Sequence, residues 1–204
     1  MKRPLVVALV LALSATGAWA DRYSDCDQSA DPDRRIRGCT QVIERGERES
    51  RETRSFAYTN RGNAYDDKGE VDRAIADYTK AIALDPNYAF AYNNRGLTYE
   101  KKGEIDRAIA DYTKAIALDP KNAIAYTNRG AAYYSKGALD RAIADFDEAI
   151  KLNPNYAITY TNRGYTYEKK GDKDQAIADF RKALEINPSD QDAKDNLKRL
   201  GVTP

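Results

Sequence analysis

The sequence predicts an all-α fold: an α-solenoid of four tandem helix-turn-helix repeats with a capping helix at each end. Three observations predict it. The tripeptide Asn-Arg-Gly recurs four times at a constant spacing of 34 residues. Tyr, Gly and Pro residues recur in the same register, and the apolar residues between them follow a helical period. A period of this length is typical of stacked helical hairpins, none of which can bury its apolar stripe alone.

The first 20 residues predict a secretory signal peptide. Lys2 and Arg3 precede an apolar stretch from Leu5 to Leu13, and small residues follow it up to Ala20. This stretch is too short to cross a bilayer, which takes roughly 20 apolar residues. We therefore expect cleavage after Ala20 and an exported protein, either periplasmic or fully secreted, with an uncleaved anchor as the alternative.

Residues 21–54 predict an N-terminal cap helix with a disulfide. Asp31 followed by Pro32 is typical of a helix start. In an exported chain, an even number of cysteines favours pairing, so we expect Cys26 and Cys39 to be bonded to each other. A redox or metal pair would need CxxC spacing or further ligands. A bridge of this span stabilises a fold by about 3 kcal/mol.

Each repeat predicts a helical hairpin. In the first repeat, Tyr58, Gly62 and Tyr65 lie at i, i+4 and i+7 and predict a helix over about 56–68. A second helix is predicted from about residue 72 to the residue before Pro86. Because Gly and Ala recur in register with the aromatic residues, we expect the aromatic rings of one helix in each pair to pack against the small residues of the other. The four repeats cover 55–88, 89–122, 123–156 and 157–190.

Residues 191–204 predict a C-terminal capping helix and tail. Ser189 and Asp192 have the spacing of a capping box. One apolar stripe follows, with charged residues on the other faces. The stripe consists of Ala193, Leu197 and Leu200.

The residues shared by the repeats resemble the tetratricopeptide repeat (TPR) family. Aromatic, Gly, Tyr, Ala, aromatic, Ala and Pro residues stand at repeat positions 4, 8, 11, 20, 24, 27 and 32 in all four units. One departure is Arg at position 7, where the family usually has Leu. The resemblance implies a right-handed superhelix whose concave groove is lined by the first helix of each pair. Two cysteines ahead of such an array resemble exported repeat proteins of Gram-negative bacteria.

The composition restricts the function classes. The chain has no His and only two Cys, which excludes His-dependent catalysis and most zinc sites. Lys plus Arg number 33 against 32 Asp plus Glu, so no basic excess favours nucleic acid. We expect no cofactor, no metal, no catalysis, no nucleic acid partner and no membrane insertion after signal cleavage. We favour a monomer, because polar caps at both ends oppose stacking of copies.

The candidate site is a groove for a protein or peptide partner. Repeat positions 2, 5, 6, 9, 12 and 13 lie opposite the core positions of the first helix, and the resemblance makes them the groove lining. Position 6 carries an asparagine ladder, which either binds a peptide backbone or bonds neighbouring helices. Large apolar groups and two lysines lie beside it. The site residues are Asn60, Asn94, Asn128, Asn162, Phe56, Phe90, Leu97, Tyr134, Tyr165, Lys101 and Lys169.

The remaining polar patterns have a structural and a functional interpretation. Arg at position 7 could form an anion track, but Asp at position 23 offers each Arg a partner, and we favour that pairing. The groove carboxylates Asp66, Asp67, Glu100 and Glu168 fall on separate turns and do not predict a catalytic pair. The run of Lys with which some TPR proteins clamp a terminal carboxylate is absent. We therefore expect a non-catalytic scaffold of the cell envelope, with an enzyme accessory, a weak hydrolase or a self-assembling module as alternatives.

Overall fold

The computed structural model describes residues 23–27 and 29–203, so the predicted signal peptide lies outside the described residues. In this part of the chain every regular element is a helix, which confirms the all-α prediction. Residues 23–27 are helical, and a 3₁₀ turn spans Gly46–Arg48. The longer helices are α1 (Pro32–Glu44), α2 (Arg51–Asp67), α3 (Val71–Leu84), α4 (Ala89–Lys101), α5 (Ile105–Leu118), α6 (Ala123–Ser135), α7 (Leu139–Leu152), α8 (Ala157–Lys170), α9 (Lys173–Ile186) and α10 (Gln191–Arg199).

Helices α2 to α9 form the four predicted hairpins. The first and second helix of each hairpin are joined by a turn in which Gly has a positive φ, for example 88° at Gly171. A side chain is strained in that conformation, so Gly ends the first helix. The second helices end before the repeated Pro, as Asp85 shows with extended φ and ψ of −132° and 94°.

A ring packs against a glycine backbone inside every hairpin. A Cβ atom added to Gly130 would lie 2.7 Å from Cε1 of Phe146, whose side chain is fully buried. The same approach occurs at Gly62 against Tyr78, and the other two repeats follow it. The helices can therefore approach closely only because position 8 has no side chain.

The chain divides into two compact units, Met1–Ala91 and Tyr92–Pro204. In the first unit, a disulfide joins Cys26 to Cys39, as expected, and both residues are buried against Val42 of α1. One boundary differs from the sequence prediction. Helix α2 begins at Arg51, not near residue 56, because the Ser50 hydroxyl accepts a hydrogen bond from the Thr53 amide.

Helix α1 contacts α2 through the same kinds of side chain that join one repeat to the next. Lys68 donates to the Asp33 carboxylate at 2.6 Å, and Arg61 donates to the Thr40 hydroxyl at 2.9 Å. Within the second unit, a Lys at the same repeat position contacts an Asp of α5, and an Arg donates to a Thr hydroxyl of α5. The N-terminal cap therefore occupies the place of the second helix of a preceding repeat.

The C-terminal helix completes the second unit. Leu197 and Ala193 of α10 are fully buried and pack in one cluster with Phe180 of α9. The N-cap of α10 is Asp190, whose carboxylate accepts from the Ala193 amide at 3.0 Å. The capping box predicted at Ser189 is therefore wrong: the Ser189 hydroxyl instead donates to the side chain of Asn187.

Candidate binding groove

The first helices present large apolar side chains to solvent at repeat position 2. These side chains lie in the first turn of the helix in three repeats and in the second turn of α2 in the first repeat. Their exposed fractions run from 39 to 50%. They are Phe56, Phe90, Ile124 and Ile158. Leu97, at position 9 of α4, is 36% exposed. The structure thus places the predicted apolar residues Phe56, Phe90 and Leu97 at the surface.

Position 5, which the sequence analysis assigns to the groove, is buried instead. Thr127 of α6 contacts Thr159 of α8 through their hydroxyl oxygens at 2.9 Å, and both are buried. In the second unit, α6 thus contacts α8, the first helix of the next repeat, as well as its own second helix α7. Ala132, at position 10 of α6, packs instead with Ala108 and Tyr112 of the preceding α5. The buried position-5 residues are Thr59, Asn93, Thr127 and Thr161, with exposed fractions of 0 to 6%.

Three members of the asparagine ladder have side-chain hydrogen bonds. The Asn94 side-chain oxygen accepts from its neighbour Asn93 at 3.4 Å, and two other members reach a different element. The Asn60 amide donates to the backbone oxygen of Cys26 at 3.2 Å and so ties α2 to the N-terminal cap. The Asn128 amide donates to the side-chain oxygen of Asn93 at 3.0 Å, between α6 and α4. Asn162 is partly exposed on α8. Asn60 and Asn128 thus join neighbouring elements, which favours the structural interpretation for these two residues.

The last repeat is partly covered by α10. The hydroxyl of Tyr165 accepts from the Asn196 amide at 2.9 Å, and its ring lies edge-on to Phe180 with centroids 5.5 Å apart. Burial raises the pKa of Tyr165. Arg199 forms an ion pair with Glu168. Tyr165 therefore belongs to the C-terminal core and not to an open groove, a correction that follows from the docking of α10.

A shallow depression of about 410 Å³ lies between α4 and α6 in the second unit. Leu97, Glu100, Lys101, Asn128 and Ala131 line it, so three of the predicted site residues meet there. Glu100 accepts a hydrogen bond from the hydroxyl of Tyr112 at 2.9 Å. Burial raises the pKa of Glu100 above its usual value, although this hydrogen bond opposes the shift. Sequence reasoning missed the burial, since a Glu on a helix surface has no pattern that reveals it.

Tyr134 and Lys169 lie further along the same unit. The Lys169 ammonium stands 4.4 Å from the centroid of the Tyr134 ring, a cation–π distance. Here position 13 of the fourth repeat covers position 12 of the third. These two predicted site residues contact each other, so they offer a partner less exposed surface than the sequence suggests.

The first unit has a cavity of about 420 Å³ near the start of α2. Phe56 and Tyr88 supply rings, and Glu52 and Asp85 supply carboxyl groups. Tyr88 lies 6.1 Å from Phe90, centroid to centroid. Phe56 and Phe90 are thus both near Tyr88, a residue that the sequence analysis did not select.

The arginines at position 7 are paired with the aspartates at position 23 in every repeat. In the third repeat, Nε and Nη2 of Arg129 donate to the two oxygens of Asp145, both at 2.8 Å. Hydrogen bonds to Asp145 raise the pKa of Arg129, although burial opposes the shift. The structural interpretation is confirmed, and these guanidinium groups do not form an open anion track. The four pairs are Arg61–Asp77, Arg95–Asp111, Arg129–Asp145 and Arg163–Asp179.

Two negative observations apply to the residues that the structure describes. No group of three or more Cys, Asp or Glu side chains among them is arranged to hold a metal ion. None of their helices has both the length and the apolar composition that a bilayer crossing requires.

Comparisons with known proteins agree with this architecture. Sequence profiles of the TPR repeat match residues 62–103, 101–137 and 130–171, and a tetratricopeptide repeat profile matches 157–190. No curated protein sequence matches the chain.

Solved structures show the same fold. A crystal structure of MamA is 28% identical, covers 90% of this chain and 97% of its own, and superposes with a TM-score of 0.69. The first TPR domain of Spaghetti (RPAP3), bound to the HSP90 peptide SRMEEVD, is 31% identical over 55% of this chain and 90% of its own, with a TM-score of 0.54. The OM64 TPR domain of Arabidopsis is 31% identical over 55% of this chain and 93% of its own, with a TM-score of 0.55.

Proposed function

Because this chain belongs to the tetratricopeptide repeat family, we propose that it is a non-catalytic scaffold that binds a peptide segment or a partner domain on the exposed faces of its first helices. The observation that carries the proposal is the set of uncovered apolar side chains in the second unit: Leu97, Ile124 and Ile158, each more than a third exposed. Charged residues make up 32% of the chain, so large apolar side chains that stay exposed are candidates for contact with a partner.

The relatives support a protein partner. The TPR domain of Spaghetti is bound to a peptide, which shows that this fold can hold an extended segment. The present chain has Ile124 and Ile158 at position 2 and Asn128 at position 6 of its later repeats, so these positions offer no Lys for a terminal carboxylate. We therefore propose recognition of apolar and polar side chains within a segment, not of a free C-terminus.

We place this scaffold in the cell envelope. The proposal depends on the predicted signal peptide, residues 1–20, and on the buried disulfide, since disulfides persist in an oxidising compartment. Expression of the full chain in a Gram-negative host should give a periplasmic product whose N-terminus is Asp21 by mass spectrometry. A product that keeps its first 20 residues would overturn the assignment.

The test of binding is site-specific crosslinking. A photoreactive amino acid at position 97 should capture a distinct protein from envelope extracts, identified by mass spectrometry. The matched probe replaces Lys114, which is exposed on the second helix of the same repeat. Capture of the same proteins from both positions would reject the groove. A captured partner should also lose affinity for an Ile124→Asp variant, since the charge disrupts an apolar contact without touching the buried positions.

A further inference from the structure

Repeat position 12 in the second unit is covered by a cation from the following element at two places. Lys169 lies over the ring of Tyr134, and Arg199 forms an ion pair with Glu168. The third position-12 residue of this unit, Glu100, differs. The register puts Ser135 at position 13 of the next repeat, where the following repeat has Lys169. The Ser135 hydroxyl donates to its own helix, to the backbone oxygen of Ala131 at 3.1 Å.

Glu100 therefore has a neutral donor, Tyr112. Lys101 lines the same depression, but burial and the Tyr112 hydrogen bond, and no cation, shift the Glu100 pKa. Tyr112 donates one hydrogen bond to Oε2, and burial is the main influence on the carboxyl pKa, which it raises. A partly buried carboxylate without a counter-ion is unfavourable. A cation that arrives from outside would relieve this cost.

The depression around Glu100 has the chemistry that a long basic side chain requires. Leu97 and Ala131 offer apolar contact for a methylene stem, and Asn128 offers an amide beside the carboxylate of Glu100. Its volume of about 410 Å³ exceeds that of one amino-acid side chain. Glu100 is the acidic residue of a lining that also contains Lys101. Complementarity to this partly buried carboxylate points to a basic side chain as the occupant.

We propose that this depression is a specificity pocket for a lysine or arginine side chain of the bound partner, with Glu100 as the residue that pairs with the cationic head. The proposal rests on the proposed function, because it names the chemistry of the segment that the first helices bind. It implies a partner segment in which a basic residue is flanked by apolar ones, since Ile124 lies on the same helix face as Asn128 and Ala131.

The test uses the mature chain and a matched pair of small probes at millimolar concentration. N-acetyl-arginine amide carries the cation, and N-acetyl-citrulline amide is its neutral equivalent. NMR should show saturable shifts of the Glu100 carboxyl carbon and of the Leu97, Asn128 and Ala131 amides with the arginine probe at neutral pH. The same titration should lower the midpoint at which the Glu100 carbon titrates. Equal shifts with both probes, or no shift at Glu100, would overturn the proposal.

Two variants test the pairing from opposite sides. Glu100→Gln removes the carboxylate charge, and Ser135→Lys supplies an internal cation in the way that Lys169 does in the next repeat. Each should weaken binding of the arginine probe by about tenfold. The control Glu148→Gln removes an exposed carboxylate from α7 and should leave binding unchanged. Unchanged binding in either test variant would contradict the pairing.

The outcome is separable from that of the proposed function. A partner captured at position 97 from extracts, and captured equally by Glu100→Gln, would leave the scaffold function standing and reject the basic-residue pocket. If no protein is captured specifically but the arginine probe still binds, the scaffold function would be rejected and the pocket chemistry would stand.

Discussion

The glycines at repeat position 8 determine how closely the helices of each hairpin pack. Gly130 is an unusual residue for a helix interior, where Ala is favoured by about 1 kcal/mol. Its place is explained by the ring of Phe146, which leaves no room for a Cβ. The sequence predicted this contact, because the glycine and the aromatic residue recur in phase.

Gly130→Ala should lower the free energy of unfolding by about 1–2 kcal/mol. The added methyl would meet a fully buried ring at 2.7 Å, and overpacking of about 1–3 kcal/mol outweighs the gain in helix propensity. Urea denaturation measures the change. In a double-mutant cycle, Phe146→Leu should remove much of the penalty, since it deletes the ring atom that the methyl meets. A Gly130→Ala protein as stable as the parent would contradict this packing argument.

The Arg–Asp pairs are the other residue-scale feature that the sequence predicted. Asp145 is 6% exposed, so its charge depends on the two hydrogen bonds from Arg129. Arg129→Met should cost about 2–4 kcal/mol in thermal or urea unfolding, because it leaves that carboxylate buried and unpaired. Arg141, whose guanidinium carbon lies 4.9 Å from the Tyr133 centroid on the exposed face, is the matched control. Arg141→Met should cost less than about 1 kcal/mol; equal costs would show that charge burial is not the cause.

Glu100 should make stability depend on pH. Burial raises the pKa of its carboxyl in the folded state, so folding favours the protonated form. The contribution of this carboxyl to the free energy of unfolding is then fully present below its pKa in the unfolded chain. It is lost as the pH rises through its pKa in the folded protein. Glu100→Gln should therefore have a higher urea midpoint than the parent at neutral pH, and the two midpoints should converge below about pH 4. A variant less stable at neutral pH would mean that the carboxylate stabilises the fold.

At the scale of elements, the sequence located the hairpins better than their ends. The turn glycines end the first helices and the repeated prolines end the second helices. Each of these residues is sufficient to interrupt helical backbone geometry without help from its neighbours. The start of α2 was missed by about five residues, since residues 51–54 are polar and carry no apolar period; Ser50 was the available signal. Helix caps depend on which of several adjacent polar side chains reaches an amide, and spacing alone does not decide that.

The C-terminal helix offers a direct comparison of two adjacent capping candidates. Asp190→Ala should lower stability by about 1 kcal/mol, because its carboxylate accepts from the Ala193 amide and also from the Thr161 hydroxyl at 2.8 Å. Ser189→Ala should change it by less than about 0.5 kcal/mol, since its partner Asn187 is exposed. Denaturation followed by helical circular dichroism distinguishes them. The reverse order would restore Ser189 as the cap.

At the scale of the whole molecule, repetition made the architecture predictable and left the open surface uncertain. Angular positions on a single helix identify one buried face, as if that helix had one partner. In the second unit, α6 and α8 have neighbours on more than one side, so Thr127 and Thr161 are buried although the sequence analysis assigned position 5 to the groove. The covering of Tyr165 by α10 depends on a contact between distant parts of the sequence, and no local pattern encodes it.

The disulfide should link stability to the redox state of the compartment. Cys26 and Cys39 are 13 residues apart, and reduction should lower stability by about 3 kcal/mol on the chain-entropy estimate. Unfolding of the mature chain with and without a thiol reductant measures this. The variant Cys26→Ala/Cys39→Ala should not respond to the reductant. If the parent protein is equally insensitive after complete reduction, the bridge contributes nothing to the fold.

The docking of α1 has a consequence for how such chains lengthen or shorten. Arg61 and Lys68 of α2 donate to α1 and have identical counterparts in the other three repeats. Asp67 accepts from Arg35 of α1 at 3.1 Å, but its counterparts are Lys101, Ser135 and Lys169. A gene that lost its first repeat would therefore place Lys or Ser opposite Arg35, whereas loss of a later internal copy would leave every contact of the N-terminal cap intact.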